Sequence, residues 1–446
     1  MEEKRFTINN KFIFSISFIS ALGGYLFGFD FAVIAGALPF LKEKFMMNEY
    51  WEGFTTASLA LGCAIGCLTA GNMADKYGRR PGLMLAAIIF FISSLSMAFS
   101  PSRDFFIVSR FIAGIGVGMA SILSPLYIAE IAPTQIRGRM VAINQLTIVL
   151  GILITNLVNY FLSNNGTNAW RWMFGLGTIP SGLFFLGALW LPESPRWLLK
   201  NNYINKAEAL LTKIGGHHYA VSIISPVSDI AGHVSGKKNI SLLNKKVISA
   251  VSIGMGIAVF QQFCGINVVF NFATTIFKSI GFSQQDQLKQ TIFIGLINLI
   301  FTVIAMWQVD KMGRKPLMLL GSLGLAVLYI TSAVLLQQKS SFAALTLLAA
   351  IGTYAVSLAP VTWVLISEIF PTEVRGKAIS IAVLALWISY AILVFTFPIM
   401  VSRLGTYTPF YIYAGICITG FLFVLKKVKE TKGQSLEDLE NTFTGH

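Results

Sequence analysis

Twelve stretches of about twenty mostly apolar residues, separated by short polar loops, run through this chain from near residue 12 to near residue 426. A bilayer core about 30 Å thick takes roughly 20 helical residues to cross. The spans expected in the first half are 12–40, 53–73, 82–100, 105–131, 141–163 and 172–191. Those of the second half are 247–271, 290–309, 316–336, 343–367, 378–400 and 408–426. The fold class expected is therefore an all-α membrane protein with twelve transmembrane helices. Charge supports this: only 12% of the 446 residues are charged, against about 25% in soluble domains.

The net charge of +14 could suit nucleic acid, but a nucleic-acid binder gathers its basic residues on one face. Here they scatter over short loops, so the partner expected is a lipid bilayer and no nucleic acid. With both ends on one side, 25 Lys and Arg fall in that side's loops and eight in the opposite ones. Positive loops stay inside, so both termini are expected in the cytoplasm of a cell membrane. Residues 1–11 are polar and the apolar run after them is too long for a signal peptide, so the first span is expected to be retained. Cys63, Cys67, Cys264 and Cys417 lie inside apolar runs without metal-ligand spacing. No metal, cofactor or enzymatic site is expected: no phosphate-cradling Gly-Lys-Ser/Thr loop is present.

The chain repeats itself. Asp75-Lys-Tyr-Gly-Arg79-Arg80 follows span 2, and Asp310-Lys-Met-Gly-Arg314-Lys315 follows span 8, 235 residues later. Glu130 with Arg137-Gly-Arg139 follows span 4, and Glu368 with Arg375-Gly-Lys377 follows span 10, at an offset of 238. Parallel repeats with substrate held at their midplane interface characterise a large class of secondary transporters. The division expected is a six-helix half at 1–191, a cytoplasmic linker with short helices at 192–246, a second half at 247–427 and a tail at 428–446. Gly78 and Gly313 allow tight turns, and the acids and bases beside them can pair with one another and with helix ends. The seven-residue spacing of Glu130 to Arg137, and of Glu368 to Arg375, suits bridging to another loop's charges. These clusters read as a latch on the cytoplasmic gate.

Two charges interrupt apolar spans: Asp30 in span 1 and Arg110 in span 4. Each costs at least ~2.5 kcal/mol at a helix centre, so a mutual pair is expected. A proton neutralising Asp30 would break that pair and free the two halves to rock; a static ion pair is the alternative. Span 7 carries consecutive amides, Gln261-Gln262, followed by Asn267. Amides there call for water, each other or a polar ligand, and a sugar presents hydroxyls that both donate and accept. Helix–helix hydrogen bonding is the other use of such groups.

These motifs, with Gly28-Phe-Asp30-Phe-Ala-Val-Ile-Ala-Gly36, Pro192-Glu193-Ser-Pro-Arg196-Trp197, Gly265-Ile-Asn267 and Glu430-Thr-Lys-Gly433, resemble the sugar porter family of the major facilitator superfamily, across nearly the whole chain. The bacterial proton-coupled xylose and glucose symporters are the nearest in look. The resemblance implies a monomer that moves a monosaccharide with protons by alternating access. An Asp at the place of Asp30 marks proton symporters in that family. Gln145, Asn298, Trp363 and Trp387 match family sugar contacts, and Phe27 adjoins the proton site. Glu193, Arg196 and Glu430 join Asp75, Arg79, Arg80, Arg137, Asp310, Arg314 and Arg375 among the gating charges. The chain also departs from the family: Asn271-Phe272 replaces a Tyr-Tyr pair, Leu358-Ala359-Pro360 a Trp-Gly-Pro, and Leu386 a polar residue before Trp387. Asn271 adds a hydrogen-bonding group and Leu386 removes one. A proton-independent sugar uniporter and a polyol or inositol symporter remain alternative readings.

Overall fold

A computed structural model describes residues 8–231, 245–370 and 374–432. The first half comprises α1 (Asn10–Lys44), α2 (Glu49–Tyr77), α3 (Arg79–Ala98), α4 (Arg103–Ile131), α5 (Arg137–Leu162), α6 (Ala169–Gly175) and α7 (Thr178–Ala188). Three shorter helices follow: α8 (Pro195–Lys200), α9 (Ile204–Gly215) and α10 (His217–Ala231). The second half comprises α11 (Lys245–Phe263), α12 (Ile266–Asn271), α13 (Ala273–Ser279), α14 (Gln284–Met312) and α15 (Arg314–Gln337). It ends with α16 (Phe342–Val356), α17 (Leu358–Ile369), α18 (Arg375–Leu404) and α19 (Thr408–Lys427).

Eleven of the spans are apolar stretches long enough to cross a membrane, and the α6–α7 pair makes the twelfth. The sixth span is thus split, where the sequence pattern gives one uninterrupted helix. The reason is local: Pro180, near the start of α7, has no N–H to carry the ladder back toward Leu176. Span 7 breaks at Gly265, whose φ of +86° is left-handed. A β-carbon there would stand 2.4 Å from the Tyr413 ring, so backbone freedom and close packing both call for glycine. Span 10 breaks at Ser357, three residues before Pro360.

Several helices open on side-chain caps that satisfy a free N–H: Asn48 accepts from Trp51 N at 3.1 Å and Ser102 from Phe105 N at 3.3 Å. Ile92, Val108, Leu183, Leu186, Val327 and Leu345 are each more than half exposed. Large apolar side chains spread over the outside of every span suit hydrocarbon rather than water.

The start of α1, the α2–α3 turn, α8–α10, the α14–α15 turn and the residues after α19 share one end of the bundle, called here the terminal face. On the opposite face the two halves touch. Asn156 of α5 donates to Thr291 O at 2.7 Å, Thr274 of α13 to Ala35 O at 3.0 Å, and Arg403 of α18 to Tyr50 at 2.7 Å. A β-carbon on Gly53 would lie 2.3 Å from Phe395 O, so α2 and α18 meet backbone to backbone there. Toward the terminal face the contact opens. Gly138 at the start of α5 and Gly376 at the start of α18 have nothing within 4 Å of a would-be β-carbon.

Candidate functional site

Asp30 and Arg110 meet between α1 and α4. Arg110 Nη1 donates to Asp30 Oδ1 at 3.1 Å, and both side chains are completely buried. The bonding is incomplete: Asp30 Oδ2 and Arg110 Nε and Nη2 have no hydrogen-bond partner among the described residues. The Phe174 ring, 5.8 Å from the guanidinium carbon, gives partial compensation through its π face. A buried pair with unmade bonds is a poor stabiliser, since charge desolvation outweighs a single contact. Its geometry suits a link that forms and breaks.

The amides of span 7 lie on the inner side of the second half. Gln262 Nε2 donates to Gln261 Oε1 at 2.7 Å, Asn267 Nδ2 donates to Gln262 Oε1, and Gln261 Nε2 donates to the hydroxyl of Tyr354. Gln261 and Gln262 are therefore engaged with their neighbours. Asn271 is engaged as well: its Nδ2 donates to Asn267 O at 2.7 Å and to the Tyr390 hydroxyl at 2.9 Å. Gln145 and Asn298 make no hydrogen bond within the protein among the described residues; Gln145 is exposed and Asn298 is buried. Trp363, 44% exposed, stands open on α17. Polar side chains in mid-span face the bundle interior far more often than lipid.

An aromatic cluster closes the seam on the other side. Phe27 lies 5.8 Å from Trp387 and 6.0 Å from Phe31, edge to face. Phe31 stacks on Tyr390 at 5.7 Å and meets Phe270 at 5.7 Å. The cluster joins α1 of one half to α12 and α18 of the other. Tyr354, Tyr390 and Phe31 were not singled out by sequence reasoning. Their partners across the seam and in span 7 lie far away in the chain, and only the tyrosine hydroxyls hinted at polar work inside an apolar run.

The charged loops form two matching latches. Arg79 Nη2 donates to Glu130 Oε1 at 2.9 Å, and Arg314 Nη2 to Glu368 Oε1 at 3.1 Å. Glu193 accepts the backbone N–H groups of Arg79 at 2.8 Å and Arg80 at 3.1 Å, capping α3. Glu430 accepts those of Arg314 and Lys315, each at 3.0 Å, capping α15. Each carboxylate thus satisfies free donors at a helix N-terminus and sits at the positive end of its dipole. Ser194 and Thr431, the next residues, donate to Glu130 at 2.5 Å and Glu368 at 2.6 Å. The glycines are obligatory: Gly78 has φ +102° with a would-be β-carbon 2.3 Å from Glu193 Oε2, and Gly313 has φ +93° with 2.7 Å to Glu430 Oε2.

The remaining charges play smaller parts. Asp75, mostly exposed, lies 3.4 Å from Arg79 and 3.6 Å from Lys200. Arg137 and Arg375 reach backbone carbonyls, Ala132 O at 3.4 Å and Phe370 O at 3.2 Å. Arg80 reaches Leu189 O at 2.7 Å. Arg196 is exposed and makes no ion pair among the described residues. The side chain of Asp310 lies outside the described ones, as do residues 433–446 of the tail.

Twelve spans in two matching halves, with a polar seam at their interface, define a secondary transporter of the major facilitator fold. The chain belongs to the sugar (and other) transporter family, matched over residues 16–443. It is 39% identical to the D-xylose-proton symporter of Escherichia coli (strain K12), over 97% of this chain and 96% of that protein. It is 35% identical to the major myo-inositol transporter of Bacillus subtilis (strain 168), over 98% and 95%. Among solved structures it resembles the E. coli xylose transporter in a partially occluded inward-open conformation. The TM-score is 0.86 at 36% identity, covering 96% of this chain and all of that one.

Proposed function

We propose that the protein is a monomeric, proton-coupled monosaccharide symporter of the cell membrane, with residues 1–191 and 247–427 as its rocking halves. The observation that carries this is the Asp30–Arg110 pair, fully buried and joined by one hydrogen bond, on the helix that also brings Phe27 to the sugar seam. The terminal face, rich in Lys and Arg, is the cytoplasmic one. In this arrangement the outer face is closed, the seam opens inward and the pair is formed, as expected after sugar and proton have left. On return to the outward-facing form a proton neutralises Asp30, Arg110 lets go, and α1 is free to close on a new sugar.

Gln145, Asn298, Trp363 and Asn267 are the groups with hydrogen-bonding capacity or ring surface to spare, and they are the proposed sugar contacts. Gln261, Gln262 and Asn271 shape the wall behind them, and Phe27 and Trp387 form the outer lid. The myo-inositol relative keeps a cyclic polyol as a second substrate reading. The test is reconstitution in liposomes holding a pH dye, with D-xylose, D-glucose or myo-inositol added outside. Acidification of the interior that follows one of these additions supports symport and selects the substrate. Sugar entry with no acidification makes the protein a facilitator.

A further inference from the structure

Tyr354, on α16 one turn before the Ser357 break, is 7% exposed, and its hydroxyl accepts the Gln261 side-chain N–H. Gln262 in turn donates to Gln261, and Asn267 to Gln262. Three amides are thereby strung in one sense from Asn267 to the tyrosine. Asn267 Oδ1, at the open end, takes no hydrogen bond from the protein among the described residues and is not sealed from the seam.

A primary amide donates at one end and accepts at the other, so the sense of the string decides what its last member shows. With the Tyr354 oxygen accepting, Asn267 offers a carbonyl. Were the tyrosine to donate into Gln261, all three amides would turn over and Asn267 would offer N–H groups instead. We infer that Tyr354 is a positioning residue for substrate selection: its hydroxyl, which can accept or donate, anchors the closed end of the Gln261–Gln262–Asn267 string, so the sense that Asn267 presents to a sugar hydroxyl depends on the bond Tyr354 makes. This rests on the monosaccharide reading given above. Phenylalanine at 354 keeps the ring and its packing but leaves the buried Gln261 N–H without its acceptor, and the string loses its anchored end.

The test uses the full-length protein in liposomes, wild type and Tyr354→Phe, with D-xylose and D-glucose exchange as the readout. Single-position deoxy and fluoro analogues of both sugars serve as competitors. A fluorine accepts weakly and cannot donate, so at the hydroxyl facing Asn267 the wild type should reject it. Tyr354→Phe is expected to raise KM about tenfold, the worth of about one hydrogen bond between Asn267 and the sugar that the unanchored string no longer holds in place, with maximal exchange within about twofold. It should also accept the fluoro analogue that wild type rejects. In a Gln261→Leu background, adding Tyr354→Phe should move KM no further. Unchanged KM and analogue preference would overturn the proposal while wild-type exchange still stood. So would a loss of thermal stability with analogue preference unchanged, which marks a packing role alone. If wild type exchanges neither sugar, the monosaccharide reading falls first and this inference with it.

Discussion

Arg110 reaches Asp30 through one hydrogen bond of 3.1 Å, although a guanidinium and a carboxylate can make two in parallel. Three further polar atoms of the pair have no partner among the described residues. A pair held by one bond is the one that a proton on Asp30, as proposed above, would undo at least cost.

Replacing Asp30 with Asn should abolish accumulation of sugar against a gradient and the accompanying acidification. Exchange of labelled for unlabelled sugar across the membrane should persist. Both are read in the same liposomes, and retained accumulation would remove Asp30 from the coupling.

Arg110→Met should be far more damaging to stability than to packing, because it strands a buried carboxylate. Losing one partner of a buried pair costs about 3–5 kcal/mol. Thermal unfolding in detergent should show a large loss for Arg110→Met and a smaller one for Arg110→Met with Asp30→Asn. Equal losses would mean that the arginine acts by filling space.

Asn298→Ala should raise sugar KM by about fivefold, the worth of one hydrogen bond of roughly 1 kcal/mol, and leave the unfolding temperature unchanged. Gln262→Ala should disturb both, since its amide is bonded on both sides. Calorimetry beside exchange kinetics separates the two, and a stability loss at Asn298 would show that it is structural.

Glu430 gives the second latch a pH signature. Burial alone would raise its pKa, but N–H groups of Arg314, Lys432, Lys315 and Thr431 hold the carboxyl below the ordinary glutamate range. A lowered folded pKa means stability present above the unfolded value of about 4.3 and lost as pH falls through the folded one. Protection of the Arg314 and Lys315 amides from hydrogen exchange should therefore hold at pH 5 and above and fade in stronger acid. Glu430→Gln should lack that acid step; the same step in the variant would assign it elsewhere.

Much of this was legible in the sequence. Span positions follow from run length, and Asp30 and Arg110 stand out as charges in apolar runs. The split of the sixth span was masked because hydropathy is blind to the missing N–H of Pro180. The latch acids Glu193 and Glu430 were recognisable only as motif members. That both cap the helix after a left-handed glycine depends on contacts more than a hundred residues apart in the chain. Tyr354 and Tyr390 were invisible for the same reason: each is defined by an amide 93 or 119 residues away, and a tyrosine in an apolar helix reads as bulk.

The matching latches also set an order of assembly. The first is complete once Glu193 and Ser194 have been synthesised, so the leading half can fasten itself before its twin has been translated. The second waits for Glu430 and Thr431, nearly at the end of translation and, at the usual pace, on the order of tens of seconds later. A messenger truncated shortly after the last span would yield a sealed first half beside a second half whose α15 entrance is left uncapped. Quality-control proteases that sample exposed helix ends would meet that unfinished seam first.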